Sequence, residues 1–156
     1  MSFEKEFEQE RLSVKKALEE TVKVAAIELF SGIIYRTPVG NKSLWKNPNA
    51  NPDYSGGGSA RSNWFLSFSV PSGKVTDSTE REAGNRSSFY GEIASEIGNK
   101  TSQTYVLSNN LPYIERLNEN WSTQTQGFGI VAPEQSRVQA LIPKIEKAAS
   151  KRYGVS

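Results

Sequence analysis

The stretch SFEKEFEQERLSVKKALEETVKVAAIELFSGIIYR, residues 2–36, determines the architecture because it predicts one long helix. Opposite charges four residues apart, as in Lys15 and Glu19, stabilise such a helix. Pro38 disfavours a helical backbone at Thr37, so we expect the helix to end there or slightly earlier. Its apolar side chains recur at steps of three, four or seven residues, at Phe3, Phe7, Val14, Leu18, Val22, Ala25, Leu29 and Ile33.

This predicted helix is longer than a compact domain of the same chain would be wide. About 35 residues at a rise of 1.5 Å give roughly 50 Å. A compact chain of 156 residues has a radius of gyration of only about 15 Å. Most of the helix charge lies in residues 4–20, beside a thin apolar stripe. Two interpretations stay open: the N-terminal half projects and packs on another chain, or it is a solvated amphipathic helix folded on its own core.

A long polar loop and the clearest strand follow the helix. Residues 38–62 are rich in proline, glycine and asparagine and show no helical or strand period, which predicts a loop. Such a long loop inside a small domain is often functional, and disorder in isolation is the alternative. Asn63–Val70 alternates as a strand does, with Trp64, Leu66 and Phe68 on one face.

The remainder of the chain predicts short elements and a closing helix. Residues 74–86 are expected to form another loop. Pro143 either kinks the closing helix near Gln139 or begins a second helix. The elements predicted here are a helix at 87–97 closed by Gly98, a strand at Thr104–Ser108, a short helix capped by Asn110 and running through Leu117, a third short strand at Gly127–Val131, and a helix at 133–152.

Together these elements predict an α+β fold in a single domain spanning residues 1–156. The fold comprises a long N-terminal helix, a small mainly antiparallel sheet with short helices, and a C-terminal helix. In chain order the parts are the long helix at 1–36, an insertion loop at 38–62, a sheet core at 63–131 and the C-terminal helix at 133–152.

Composition excludes several classes of function. The chain has no Cys and no His, which removes Cys nucleophiles, Ser-His-Asp triads, zinc fingers and disulfides. The carboxylate pairs Glu92/Glu96 and Glu115/Glu119 are more typical of solvated helix surface than of acid–base catalysis. The glycine-rich residues 55–59 lack the Lys-Ser/Thr ending of a phosphate loop. We therefore expect no enzyme activity, no cofactor and no metal.

Charge and hydropathy indicate whether the protein binds nucleic acid, is secreted or enters a membrane. With Lys+Arg 19 and Asp+Glu 17 the formal charge is +2, too small by itself to argue for nucleic acid. The charged first ten residues do not match a secretory signal. Apolar runs fall far short of the ~18 residues that indicate a membrane span. We expect a soluble chain, made in a cytoplasm, without a membrane partner.

Aromatic and arginine side chains are the candidate contact residues. Trp64 shares a strand face with Leu66, which favours core packing over stacking on a base. Arg61 is interpreted as a polar anchor, either to backbone carbonyls or to a neighbouring subunit. A further aromatic cluster comprises Tyr113, Trp121 and Phe128; Trp121 opens a polar loop, so it either anchors an interface or covers the sheet edge.

The order of several short motifs is more specific than any one of them. The motifs are Thr37-Pro38-Val39, Ala60-Arg61-Ser62-Asn63-Trp64, Ser108-Asn109-Asn110-Leu111-Pro112-Tyr113 with Leu117, and Trp121-Ser122, Gln124, Gly127-Phe128 and Val131. This order resembles the head–tail joining and tail-completion proteins of tailed double-stranded DNA phages, a family that includes neck proteins and minor tail protein Z of lambda-like phages. The candidate interface residues on these motifs are Arg61, Asn63, Tyr113, Trp121, Gln124 and Phe128.

The resemblance implies a structural protein of the virion. Such proteins form a ring around the DNA channel, and six or twelve copies would suit a phage axis. It implies contact with the portal-side connector or with tail terminator and tube proteins, and passage of genomic DNA without sequence-specific binding. The location implied is the neck or tail of the virion, with assembly in the host cytoplasm. A ring needs two different faces of each subunit, for which the long helix and the insertion loop are the candidates.

The chain departs from the family pattern at three places. Gly40-Asn41-Lys42 and a long insertion stand where the family often has Asp-Thr-Gly. Asn118-Glu119-Asn120 follows Leu117 instead of an acidic residue, an aromatic or His, and Gly. Thr125-Gln126 stands where an Ala-Pro pair is usual. The last two departures fall in the loop expected to meet a partner.

A rival hypothesis is a nucleic-acid-binding accessory module. Its basis is a set of basic residues close in sequence to aromatic ones, namely Arg61, Arg81, Arg86 and Lys100. Phosphate contacts by these residues would give an affinity that falls steeply with salt.

Overall fold

The structure is a computed structural model that describes residues 2–40, 58–119 and 129–156. Seven elements follow one another in these ranges, and they confirm the predicted α+β class with its long first helix, small antiparallel sheet and closing helix. The elements are α1 Phe3–Arg36, α2 Ser59–Ser62, β1 Trp64–Phe68, α3 Arg86–Ile97, β2 Tyr105–Asn109, α4 Ile114–Asn118 and α5 Val131–Arg152.

Helix α1 runs without interruption for 34 residues, as predicted. Ser2 caps its first turn, because the Ser2 hydroxyl accepts a hydrogen bond from the Lys5 amide at 3.3 Å. At the other end the Thr37 amide donates to the Ile33 carbonyl, and extended backbone at Thr37 leads into Pro38. Burial is concentrated in the second half of the helix, around the buried run from Phe30 to Ile34.

The sheet consists of β1 and β2 paired antiparallel, with Trp64 opposite Asn109 and Phe68 opposite Tyr105. Strand β1 is shorter than the predicted Asn63–Val70. Its regular backbone stops at Ser69, which adopts a left-handed conformation with φ of 71°. The Ser69 amide still donates to the Thr104 carbonyl at 2.8 Å, so the strand ends in a local twist beside its partner.

The core lies where α1, α3, α5 and one face of the sheet meet. Helix α3 begins with a capping box between Asn85 and Ser88 and ends at Gly98, the predicted C-terminal residue, which has a positive φ of 52°. The buried cluster comprises Ile27, Phe30, Ile33, Ile34, Trp64, Phe89, Ile93, Ile97 and Ile130. Nearly half of this cluster comes from the second half of α1, so that part of the helix is the centre of the packing.

Apart from the alternative of a second helix at Pro143, three sequence predictions are wrong in the described residues. The loop predicted at 38–62 contains the short helix α2. Gly58, the residue before this helix, has a left-handed backbone with φ of 90°. Asn110 does not cap a helix: its amide donates to the Ser72 and Lys74 carbonyls at 2.8 and 3.0 Å, and α4 begins only at Ile114. That side chain is held by the loop after β1 instead.

The third predicted strand, at 127–131, is the last of these errors. Its first two residues lie outside the described ranges, and Gly129 adopts a left-handed backbone with φ of 75° that a strand does not tolerate. Val131 already belongs to α5. The side-chain oxygen of Asn118 accepts the Ile130 and Val131 amides at 3.2 and 2.9 Å, which satisfies donors at the start of that helix.

Helix α5 passes through Pro143 as one continuous helix from Val131 to Arg152, so the alternative of a second helix is wrong. Pro143 is exposed, and its ring therefore displaces no core contact. The predicted inner face is correct: Val138 and Ala149 are buried, and Leu141, Ile142 and Ile145 are partly buried.

Candidate subunit interface

Arg61 is an anchor to backbone carbonyls, the first of the two roles predicted for it. Its guanidinium donates to the Thr37 and Tyr35 carbonyls at 2.9 and 2.8 Å and to the Glu82 carbonyl at 3.1 Å. It also lies 5.8 and 5.7 Å from the ring centres of Tyr35 and Phe89. Burial lowers the pKa of Arg61. The side chain therefore caps the carbonyl end of α1 and joins it to the loop before α3.

Two further motif residues complete this contact. The indole of Trp64 donates to the Thr37 hydroxyl at 2.8 Å, and the ring is buried in the core as predicted. Asn63 is fully buried, donates to the Ser59 and Thr76 carbonyls at 2.8 and 3.0 Å, and accepts the Thr76 amide at 2.9 Å. Asn63 consequently has no surface of its own to offer a partner in this structure.

Three of the four motifs quoted above, those at residues 37–39, 60–64 and 108–113, meet at this place. The side-chain amide of Asn109 donates to the Ala60 carbonyl at 2.9 Å. This bond connects the end of β2 to the segment before β1. We call this group of neighbouring residues the motif joint and define it as Thr37, Ala60, Arg61, Asn63, Trp64 and Asn109. It holds the end of α1, the start of β1 and the end of β2 in one unit.

The basic residues of the rival hypothesis bond within the protein. Arg81 donates to the Arg61 and Trp64 carbonyls, both at 2.8 Å, and forms an ion pair with Glu92 at 2.5 Å. The Lys100 ammonium lies 4.6 Å from the centre of the Phe68 ring. The charged groups of Arg61, Arg81 and Lys100 therefore each contact acceptors or rings of the protein itself.

Arg86 takes part in a buried charge network that sequence reasoning missed. Glu134 is 1% exposed, and its carboxylate pairs with Arg86 and, at 3.1 Å, with Arg137. Arg137 also pairs with Glu28 at 3.1 Å. The carboxylate occupies the space that Gly32 leaves open on α1, since a Cβ there would overlap it. A glycine inside a helix was the available signal, because it often marks close approach of another group.

The first half of α1 is an exposed arm, which we define as residues 2–18. All of its residues except Ser13 and Ala17 are exposed. Phe3 is 79% exposed, and Phe7 and Leu18 are each 60% exposed. Large apolar side chains at this exposure usually mark a surface that meets another molecule.

The apolar stripe of the arm continues into a groove on the body. At about 100° per residue, Val22, Ala25 and Leu29 lie on the same side of α1 as the stripe. There they line a groove of about 590 Å³, which we call the lateral groove, together with Tyr105 of β2 and Val138 of α5. A second groove of about 310 Å³ lies between α1 and the last turns of α5.

Of the remaining candidate interface residues, one lies within the described residues and three lie outside them. Tyr113 is 42% exposed at the start of α4, where a ring is accessible to a partner. Trp121, Gln124 and Phe128 lie outside the described residues. Their predicted contact with a partner stays a prediction.

The described acidic side chains do not gather into a metal site. In residues 2–40, 58–119 and 129–156 no group of three or more acidic residues is placed to hold an ion. Glu92 pairs with Arg81, while partial desolvation raises the pKa of Glu96. Helices in the same ranges are not apolar enough over sufficient length to cross a bilayer. In the part of the chain that the structure describes, the exposed arm and the lateral groove are the candidate contact surfaces.

Comparison of the chain with protein-family models, curated proteins and solved structures finds no match.

Proposed function

We propose that this chain is a structural subunit of the neck or tail-completion region of a tailed phage. The observation that carries the proposal is the motif joint. Segments recognised by their order, at residues 37–39, 60–64 and 108–113, are linked by direct hydrogen bonds such as Trp64 to Thr37 and Asn109 to Ala60. A motif order that also forms one packed unit supports the resemblance better than separate short matches do.

The exposed apolar surface supports an assembly role. A subunit that finishes its burial against other copies is expected to leave apolar helix surface uncovered when alone. The arm and the lateral groove have this property. Copies arranged in a ring meet through two different faces of each subunit. The lateral groove would serve as one such face, and the insertion loop, most of which lies outside the described residues, is the candidate for the other.

The proposed partners are consistent with this role. Copies of the chain, six or twelve in number, surround the channel and contact the portal-side connector on one side. Tail terminator or tube proteins meet the other side, and genomic DNA passes through without sequence-specific contacts. The proposed location is the virion neck or tail, after assembly in the host cytoplasm.

The nucleic-acid-binding alternative has less support. Arg61, Arg81 and Arg86 all donate to acceptors within the protein, which leaves their guanidinium groups less available for phosphate. A DNA titration at two salt concentrations separates the two functions. A steep loss of affinity with salt would favour the alternative, and absence of binding at low salt would remove it.

Imaging of particles tests the proposal directly. Deletion of the coding sequence for this chain from its phage or prophage should give separate heads and tails, or tails without a proper end, in negative stain. Complementation with the wild-type chain, or with the control variant Val75→Ser at an exposed position, should restore joined particles. Normal virions from the deletion would overturn the proposal.

A further inference from the structure

The arm carries a charge pattern that is complementary to its own reverse. Glu4, Glu8, Arg11 and Lys15 lie in succession on one flank of the apolar stripe, within about 60° of the helix circumference. The order along this line is acidic, acidic, basic, basic. The midpoint of the pair Glu4 and Lys15 falls between residues 9 and 10, and so does the midpoint of the pair Glu8 and Arg11. A second arm running in the opposite direction would therefore place each acid beside a base.

The apolar stripe has nearly the same centre. Phe3, Phe7, Val14 and Leu18 lie within about 60° of one another around the helix. Phe3 and Leu18, like Phe7 and Val14, are centred between residues 10 and 11. Reversal of the arm exchanges these positions, so each phenylalanine would face an aliphatic side chain of a second arm. The charged line and the apolar stripe therefore have midpoints only one residue apart. An antiparallel partner of the same sequence can then match both at once.

The body of the same chain does not cover this surface. From Ala17, where burial begins, to Phe3 the helix extends about 21 Å. All four stripe residues are exposed, and the Glu8–Arg11 ion pair at 2.5 Å is exposed as well. A parallel two-fold pair would place this flank beside the opposite flank of the partner, where Glu6 and Glu10 lie, so Glu4 and Glu8 would face like charges. The antiparallel direction places every member of the line Glu4, Glu8, Arg11 and Lys15 beside an opposite charge while it keeps the apolar contact.

We propose that two copies of this chain pair through their arms as antiparallel helices. Phe3 and Phe7 of each copy pack on the partner's Leu18 and Val14, and the flanking charges Glu4 and Glu8 meet the partner's Lys15 and Arg11. The contact is two-fold symmetric, with the same surface used by both copies. It does not depend on the proposed function, because a ring requires a different, heterologous contact.

Two charge-reversed variants of the full chain test the pairing. The variant E4K/E8K carries a wholly basic flank, and R11E/K15E carries a wholly acidic flank. Each alone should self-associate on the order of tenfold more weakly than the wild type in sedimentation equilibrium, because every flank contact becomes repulsive. Mixed together, the two variants should restore wild-type affinity as a heterodimer. The matched control K5E/K16E changes charges on the opposite side of α1 and should leave self-association unchanged.

Introduced cysteines test the direction, since the chain has no Cys of its own. In the antiparallel pair, two copies of residue 4 lie roughly 16 Å apart along the helix axis, too far for a disulfide. E4C alone and K15C alone should therefore stay unlinked under mild oxidation, while their mixture should form a mixed disulfide. Linkage of E4C with itself would overturn the antiparallel arrangement.

The outcomes separate this inference from the proposed function. A wild-type chain that remains monomeric at high micromolar concentration, or charge-reversed variants that associate as the wild type does, would overturn the pairing. Unchanged far-ultraviolet circular dichroism of each variant would show that an altered fold is not the reason. A failed pairing with unjoined heads and tails in the deletion would leave the neck proposal standing, and the reverse combination would leave only the pairing.

Discussion

The indole nitrogen of Trp64 donates a 2.8 Å hydrogen bond to the hydroxyl of Thr37, which itself donates to the Ile33 carbonyl at 2.7 Å. These two hydrogen bonds connect the first residue of β1 to the last turn of α1 across 27 positions of sequence. Thr37 is fully buried, so water cannot replace either partner. The contact fixes the angle at which the long helix leaves the sheet.

Replacement of Thr37 by Val should destabilise the protein by about 1–3 kcal/mol. The side chain keeps its shape, but the indole N–H of Trp64 loses its acceptor while it remains buried. Urea denaturation followed by tryptophan fluorescence measures the change. Thr79→Val, at an exposed position, is the matched control and should leave the midpoint unchanged. An equal midpoint for both variants would show that this hydrogen bond does not stabilise the fold.

Arg61→Lys should destabilise the protein by about 2–3 kcal/mol although the charge is kept. A single ammonium group cannot reach the Tyr35, Thr37 and Glu82 carbonyls together, whereas the planar guanidinium bonds to all three. Chemical denaturation is again the measurement. Arg152→Lys makes the same exchange at an exposed ion pair with Glu20 and should have little effect. Similar losses in both variants would contradict the anchor role.

Two glycine substitutions in helices should change stability in opposite directions. Gly32→Ala places a Cβ against the Glu134 carboxylate and should destabilise by about 1–3 kcal/mol through overpacking. Gly91→Ala meets no atom within 4 Å and should stabilise by about 0.5–1 kcal/mol, since alanine favours the helix. Thermal unfolding of both variants checks the signs. A gain in stability from Gly32→Ala would mean that the carboxylate does not occupy that space.

Glu96→Gln should gain stability relative to the wild type as pH rises. Partial desolvation raises the pKa of Glu96 above its ordinary value of 4.5. The folded state therefore binds this proton more tightly, and the contribution to stability present below about pH 4.5 is lost as pH rises through the raised pKa. Denaturation midpoints at pH 4 and pH 7 measure the difference. The exposed control Glu115→Gln should run parallel to the wild type.

The local signals in the sequence predicted the elements where short-range chemistry decides them. Pro38 marks the end of α1, because a residue before proline avoids the helical region. Alternation around Trp64 located β1, and Gly98 closed α3 at the expected residue. Arg61 was predicted to anchor either backbone carbonyls or a neighbouring subunit, and it bonds to carbonyls of its own chain. For α1, β1 and α3, the interactions that set the position of the element lie within a few residues of it.

Long-range contacts decide what the sequence could not predict. Arg86 and Glu134 are 48 positions apart, and neither residue type differs from an ordinary surface charge when it stands alone. Asn118 satisfies the start of α5 across 12 or 13 positions, which makes a helix begin where a third strand was expected. Asn110 resembles a helix cap locally, but the carbonyls of Ser72 and Lys74 capture its amide.

The Glu134 carboxylate beside Gly32 has a mechanical consequence for the arm. If α1 moved along α5 by a single position, Ser31 or Ile33 would bring a side chain into the space that the carboxylate fills. The Glu134 carboxylate thus opposes sliding of α1 along α5. Its ion pairs with Arg86 and Arg137 oppose separation of the elements that carry them. Because α1 is continuous from Phe3 to Arg36, a displacement of the exposed arm would be transmitted along the helix to the motif joint at its end.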